Sequence, residues 1–236
     1  MSKGFLSILL LLIIGFTSCD DGKIYPTTVV VSQSGSVYKV TATIKGVNGW
    51  HSDYDVALSS FSEDSEYAVN SKMISTSSDE ETISVVLSGV QDVSTVELCV
   101  INQLRKRVIT LYSMDYVDQE DTVYVDAGEI DATMFNAIQE LVFDNDCIGC
   151  HGMSTSAAAG LYLTEGNSYD ALVNVPASLS TEGKMRVRPS EPDSSFIMDV
   201  LTESGVVGND HVDILSGKTI RLNLIENWIE NGALED

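Results

Sequence analysis

The hydrophobic pattern of this 236-residue chain changes near residue 131. Before that point, short runs rich in Val, Ile, Thr and Tyr alternate with turns rich in Gly, Ser, Asn and Asp, which is typical of an all-β domain. After it, apolar residues recur at helical spacing. The chain is long enough for two domains that each bury a core. The change of pattern therefore predicts a β domain over residues 24–130 and a helical domain over residues 131–236.

The first domain is expected to form a sandwich of two sheets. Polar and apolar residues alternate strictly over 38–45, so that one face of this strand is buried. Roughly 100 residues in seven strands resemble immunoglobulin-like and fibronectin type III-like modules. Cys99, within an apolar run, is expected to be a buried, inert thiol. The expected strands are 27–32, 37–45, 55–61, 82–87, 95–102, 107–112 and 122–127.

The second domain is expected to contain three helices. The last of them is apolar over a broad face and must therefore pack against a large partner. The predicted spans are 131–144 with Asp131 as N-cap, 193–201 after Pro192, and 216–231 between a Ser216 cap and Gly232.

The first residues carry signals for export. Lys3 precedes an apolar stretch over 5–16, which is too short to span a bilayer comfortably. Two small residues then lead into Cys19, an arrangement that resembles the lipobox of bacterial lipoproteins, although Phe16 replaces the usual Leu. The resemblance implies that residues 1–18 are a cleaved signal peptide and that Cys19 is lipidated. The alternatives are an ordinary signal peptide cleaved nearby and an uncleaved anchor.

An acidic pair, Asp20 and Asp21, follows this cysteine. In some Gram-negative lineages such a pair resembles a signal for display on the outer membrane, and in others it implies retention at the inner membrane. We therefore expect an exported protein, lipid-anchored on the periplasmic or the outer-membrane and cell-surface side of a Gram-negative bacterium.

The chain is strongly acidic, with a net charge of −22. Such a surface repels nucleic acid, so no nucleic-acid partner is expected. It favours solubility and partners that are basic or contain metal. A well-solvated surface with no dedicated partner explains the charge equally simply.

The strongest chemical signal is the C-x-x-C-H sequence of residues 147–151, the attachment motif of c-type haem. Its spacing lets two thiols reach the vinyl groups of one porphyrin edge while the adjacent histidine ligates the iron. The alternatives are a redox-active cysteine pair and half of a zinc site. A zinc site needs further ligands, and His211 is the only other Cys or His in this domain. The sequence therefore predicts one haem c bound covalently to Cys147 and Cys150, with His151 as axial ligand.

Residues 132–235 resemble the cytochrome c family in the order of their features: a leading helix, C-x-x-C-H-G, a middle segment and a closing helix. The segments 160–163, 188–195 and 225–233 resemble those of a bacterial branch often fused to other exported domains. The resemblance implies an all-α fold for this part. The expected fold class is thus multidomain, an all-β sandwich of the immunoglobulin or fibronectin III type followed by an all-α cytochrome c-like domain.

The sequence departs from this family at the second iron ligand, where the family usually has a Met-Pro pair shortly before the closing helix. His211 lies at about this point instead, so ligation by two histidines is the preferred assignment. Met198 is the main rival and Met185 a weaker one. A solvated loop histidine is the remaining alternative for His211. Ligation by histidine and methionine would give the higher reduction potential.

Further side chains are candidates for contact with the haem. Either Arg186 or Arg188 could pair with a propionate, and an isolated surface arginine is the alternative for each. Three apolar residues could wall the haem or could simply belong to the core, namely Phe135, Leu222 and Trp228.

Iron with two protein ligands has no open coordination site. The expected function is therefore electron transfer between exported redox partner proteins, without enzymatic activity. The alternatives are a haem sensor or peroxidase-like enzyme with an open distal site, and a haem-containing accessory or binding module of an exported enzyme complex.

Overall fold

The computed structural model describes residues 35–152 and 156–236, which belong to one compact unit. The predicted signal peptide, Cys19 and the predicted strand 27–32 lie outside the described residues. No helix in the described part is both long and apolar enough to cross a membrane. The strands of this part are β1 (Ser36–Lys45), β2 (Tyr54–Phe61), β3 (Ala68–Met73), β4 (Glu80–Val90), β5 (Thr95–Asn102), β6 (Arg107–Asp115) and β7 (Val123–Asp131).

The strands form two sheets, with the orders β4-β1-β7 and β3-β2-β5-β6. β1 pairs antiparallel with β4 and parallel with β7, whereas all pairs of the second sheet are antiparallel. Buried and half-buried residues alternate along β1, which confirms the predicted alternation of this strand. Cys99 in β5 is fully buried, as predicted.

The strand β3 was not expected from the sequence. Its six residues, Ala-Val-Asn-Ser-Lys-Met, are half polar and do not alternate between apolar and polar. It lies at the edge of the second sheet and pairs only with β2 among the described strands. Backbone pairing with a neighbour, rather than its own composition, therefore makes this segment a strand.

The residues after β7 form short helices within irregular chain. The first helix, α1 (Met134–Ile138), continues as a π-helical segment, Gln139–Cys147. Single 3₁₀ turns lie at Ala158–Gly160, Pro192–Ser194 and Val212–Ile214. The α-helices of this region are α1 (Met134–Ile138), α2 (Ile148–His151), α3 (Ser168–Leu172), α4 (Phe196–Thr202) and α5 (Thr219–Glu230).

The predicted fold class, an all-β sandwich followed by an all-α cytochrome c-like domain, is wrong. The described chain is mostly β-sheet in two sheets, with a few short helices. Four of the five helices after β7 have seven residues or fewer, too short to be stable without tertiary packing. The apolar faces of α1, α3, α4 and α5 pack into one hydrophobic core that is continuous with the core of the sandwich.

The helix ends also differ from the prediction. The N-cap of α1 is Thr133, whose hydroxyl accepts a hydrogen bond from the Asn136 backbone N–H at 3.3 Å. Asp131 instead accepts hydrogen bonds from the backbone N–H and the hydroxyl of Thr133. The last helix begins after Lys218, because Gly217 has a φ of 75° and the chain before it forms turns.

Side-chain hydrogen bonds join the sandwich to the residues after β7, which form the helical region. Trp50 Nε1 donates to the Ala132 carbonyl at 2.6 Å, just before α1. Two asparagines near the end of α5 also reach the sandwich: Asn227 donates to the Tyr54 hydroxyl at 3.1 Å, and Asn231 donates to the Gly49 carbonyl at 2.8 Å. The first and last helices of this region are therefore held against the β-sheets.

Candidate functional site

A cavity of about 840 Å³ in the helical region brings most of the predicted site residues together. Its size is within the range of roughly 300–1,000 Å³ that is typical of ligand pockets. Cys147, Cys150, His151, Arg186 and His211 all line it. Most of the remaining wall is apolar and includes Phe143, Leu163, Leu172, Phe196, Leu201 and Ile225.

The local fold of the C-x-x-C-H segment places its chemical groups on the same side of the chain. Cys147 is the N-cap of α2, and Cys150 and His151 follow within one helical turn. Gly152 ends the turn, where its N–H donates to the Ile148 carbonyl at 2.8 Å. A Cβ on Gly152 would lie 2.5 Å from that carbonyl oxygen, so only glycine fits without a shift.

The His151 ring is oriented by a backbone carbonyl. Its Nδ1 lies 3.1 Å from the Leu161 carbonyl oxygen. Because a carbonyl only accepts, Nδ1 carries the hydrogen and Nε2 keeps a lone pair. Burial lowers the pKa of His151; the hydrogen bond to Leu161 opposes this shift and the nearby His211 adds to it. The neutral ring is the form that ligates a metal.

The His211 ring is held in the same way and lies beside His151. Its Nδ1 is 2.6 Å from the Asn209 carbonyl oxygen, which leaves its Nε2 as the acceptor. The ring centroids of the two histidines are 6.2 Å apart, and the ring planes are inclined by 36°. A metal–nitrogen bond is about 2.0 Å long, so a separation of this size leaves room for one metal ion between the two rings.

The methionines proposed as rival ligands lie elsewhere. Met198 is buried in α4, where its neighbours Ile197 and Leu201 line the cavity but Met198 itself does not. Met185 is also not among the lining residues; its backbone bridges to Pro176 and Ser195. Of the three candidates for the second ligand, His211 is the one that the fold brings next to His151. The identity of this ligand stays a prediction.

The two thiols of the motif differ in their surroundings. Burial raises the pKa of the Cys147 thiol to about 12, and the charge of Asp146 adds to this shift, whereas Cys150 is exposed. Cysteines of redox-active C-x-x-C pairs have a lowered pKa, because the thiolate is the nucleophile. The raised pKa of Cys147 therefore argues against the redox-pair interpretation. No group of three or more His, Cys, Asp and Glu side chains within residues 35–152 and 156–236 is arranged to hold a metal ion.

The two candidate arginines have different positions. Arg186 is half-buried and lines the cavity, where it donates hydrogen bonds to the Ala171 and Ala159 carbonyls. Arg188 is exposed and forms an ion pair with Glu191 at 3.0 Å. Only Arg186 is therefore placed to contact a molecule in the cavity.

The three apolar candidates for the wall, Phe135, Leu222 and Trp228, do not line the cavity. The rings of Phe135 and Trp228 lie 5.2 Å apart within the hydrophobic core. Phe143 and Leu172 form the wall instead, and no sequence signal distinguishes them from other core residues. The sequence analysis also missed the carbonyls of Leu161 and Asn209, because every residue has a backbone carbonyl whatever its side chain.

The arrangement as a whole has two thiols, two oriented imidazoles and one arginine around an apolar cavity. Two thiols and two imidazoles are the groups that would hold a covalently bound haem. No three of the described His, Cys, Asp and Glu side chains are grouped as ligands of a metal ion. No protein-family model, curated protein or solved structure matches the chain.

Proposed function

We propose that this protein is a membrane-anchored c-type cytochrome that carries one haem and transfers electrons between exported redox partners. One observation carries the proposal: the rings of His151 and His211 lie 6.2 Å apart at a cavity that Cys147 and Cys150 also line. Two thiols and two axial ligands are what a six-coordinate haem c requires of its protein.

The side chains have distinct roles in this proposal. Cys147 and Cys150 would hold the haem through thioether bonds, and His151 and His211 would ligate its iron. When bound, the haem supplies one-electron chemistry at its iron. The carbonyls of Leu161 and Asn209 hold the two imidazoles with Nε2 free, and the largely apolar wall would contact the porphyrin.

Two histidines at the cavity favour electron transfer over a haem sensor or a peroxidase-like enzyme, because both of those need an open or displaceable distal position. The acidic surface suits a redox partner that is basic or contains metal. A lipid on Cys19 would hold the protein at the membrane surface, where its partners are also exported.

The test is a visible absorption spectrum of the protein matured with haem, oxidised and reduced, with and without carbon monoxide. We expect sharp reduced bands that carbon monoxide does not change, because both axial positions are filled. The His211→Ala variant should bind about one carbon monoxide per haem and show shifted bands. Met198→Leu is the matched control and should behave like the parent, because Met198 does not line the cavity.

Different outcomes would select other functions. If the parent protein binds carbon monoxide readily, the distal site is open and the sensor or peroxidase-like function replaces electron transfer. If Met198→Leu rather than His211→Ala changes the spectrum, the second ligand is the methionine. If no haem becomes attached in a host with a haem-maturation system, the proposal is wrong.

A further inference from the structure

We infer that Arg186 binds a carboxylate of the bound cofactor, namely a haem propionate. The inference rests on the proposed function and adds to it the group that recognises the polar side of the haem. Three observations support it: the pairing of the other basic residues in this region, the contacts of Arg186, and its place beside the cavity.

Acidic partners neutralise almost every basic side chain in the helical region. Only five basic residues follow residue 131 in this acidic chain. Four of them form ion pairs: Lys184 with Asp199 at 2.8 Å, Arg188 with Glu191 at 3.0 Å, and Lys218 and Arg221 with Asp146 at 2.6 and 2.5 Å. Arg186 is the fifth.

Arg186 has no carboxylate partner among the described residues. Its Nη1 donates to the Ala171 carbonyl at 2.8 Å and its Nη2 donates to the Ala159 carbonyl at 3.2 Å. A guanidinium has five N–H donors in a planar fork, so donors remain for a ligand. Burial lowers the pKa of Arg186, but an arginine stays charged at neutral pH.

A half-buried positive charge without a counter-charge is unfavourable, so such a side chain usually has an anionic partner. Arg186 lines the same cavity as the two cysteines and the two histidines. Arginine binds carboxylates through paired N–H bonds, and haem carries two carboxylates as propionates. A haem held by the two cysteines and the two histidines would therefore supply a carboxylate partner for Arg186.

The position of Arg186 also links it to the axial ligand. The Ala159 carbonyl that it binds belongs to a turn in which Ala159 has a left-handed φ of 52°. Leu161 of the same turn accepts the hydrogen bond from His151. A positive charge at this point favours the reduced form of a nearby iron and also lowers the pKa of a bound propionate.

The experiment compares the reduction potential of the haem-loaded parent, Arg186→Leu and Arg188→Leu as a function of pH. In Arg186→Leu we expect a lower potential, and we expect the pH at which the potential titrates to rise by about 1–3 units, because the propionate has lost its cation. Arg188→Leu removes the same charge from an exposed site and should give the curve of the parent. Arg186→Lys keeps the positive charge but not the planar fork of N–H donors. Its curve should therefore lie between those of the parent and Arg186→Leu.

The outcomes separate this inference from the proposed function. If the parent attaches no haem, both fail. If haem attaches but the curves of Arg186→Leu and the parent coincide, only the inference fails. If added chloride or phosphate shifts the potential of the parent but not that of Arg186→Leu, Arg186 binds a free anion and the inference is wrong. If Arg186→Leu does not retain haem, a crystal structure of the haem-loaded parent decides: a propionate oxygen in hydrogen-bond contact with Arg186 supports the inference, and its absence overturns it.

Discussion

Asp146, the residue before Cys147, joins the C-x-x-C-H turn to the beginning of α5. Its carboxylate accepts hydrogen bonds from Lys218 Nζ at 2.6 Å and from Arg221 Nη1 at 2.5 Å, and its side chain is only 7% exposed. Lys218 also ends the segment that carries His211. The Asp146 carboxylate therefore connects the turn that carries the two thiols to the segment that carries His211.

We expect Asp146→Asn to lower the free energy of unfolding by about 1–3 kcal/mol at pH 7, because the amide has no negative charge and only one acceptor oxygen for Lys218 and Arg221. Denaturant titrations of the parent and the variant measure this difference. Asp170→Asn, at an exposed position of α3, is the control and should change stability by less than about 0.5 kcal/mol. Equal stability of the parent and Asp146→Asn would contradict the proposed role of Asp146.

The pH dependence of this effect has a definite sign. Burial raises the pKa of Asp146, but the hydrogen bonds from Lys218 and Arg221 outweigh it and hold the pKa below its ordinary value of 3.8. A lowered pKa stabilises the folded state above the ordinary value, and this stabilisation is lost as the pH falls through the folded pKa. The difference between parent and variant should therefore be constant near neutral pH and shrink below about pH 4.

Single residues show what a sequence can and cannot predict about the site. Local spacing singles out the two cysteines and His151, and the fold brings His211 to the same cavity. That these residues hold a haem stays a prediction. Which of Arg186 and Arg188 could contact a haem propionate depends on the direction of each side chain. In an irregular segment, no periodic pattern predicts that direction. The pairing of Asp146 with Lys218 joins residues far apart in sequence, which no local pattern reveals.

At the scale of elements, runs rich in Val, Ile, Thr and Tyr predicted strands better than helical spacing predicted helices. The strand predicted over 95–102 has those bounds, and the strand 37–45 differs by one residue at its start. Helical spacing after residue 131 indicated which face is apolar, but it did not indicate how far each helix extends or what that face packs against. The α1 pattern thus continues into a π-helical segment, and the closing helix packs on the sandwich core.

The hydrogen bond from Trp50 to Ala132 joins the sandwich to α1 and predicts a measurable coupling between them. We expect Trp50→Phe to lower the free energy of unfolding by about 1–3 kcal/mol, because the buried Ala132 carbonyl loses its partner. Fluorescence of Trp228, the only other tryptophan in the chain, reports unfolding near α5. Its transition should shift by the same amount as the far-UV circular dichroism signal.

Tyr124→Phe is the control, because the Tyr124 side chain is 75% exposed on β7. It should leave both transitions unchanged within about 0.5 kcal/mol. If the Trp228 signal of Trp50→Phe keeps the midpoint of the parent while the circular dichroism signal shifts, the sheets and α5 unfold independently. That result would contradict the coupling.

At the scale of the whole molecule, the lipid anchor that we propose belongs to the part of the chain before the sandwich. We expect Cys19→Ala to abolish labelling by radioactive fatty acid, because the acceptor thiol is lost. The variant should also accumulate as unprocessed precursor. Cys99→Ala removes a buried thiol instead and should leave labelling and processing as in the parent. Normal processing of Cys19→Ala without labelling would favour an ordinary signal peptide over a lipoprotein signal.

The parallel pairing of β1 with β7 has a consequence for folding kinetics. Tyr38 pairs with Val123 at the far end of the sandwich sequence, so the first sheet closes only after a long-range contact forms. Chains dominated by such contacts fold slowly. Until the fold closes, the Cys147 thiol keeps the reactivity of an unfolded chain. Once the fold closes, burial suppresses its thiolate. The haem attachment that we propose at Cys147 would therefore compete with closure of the fold.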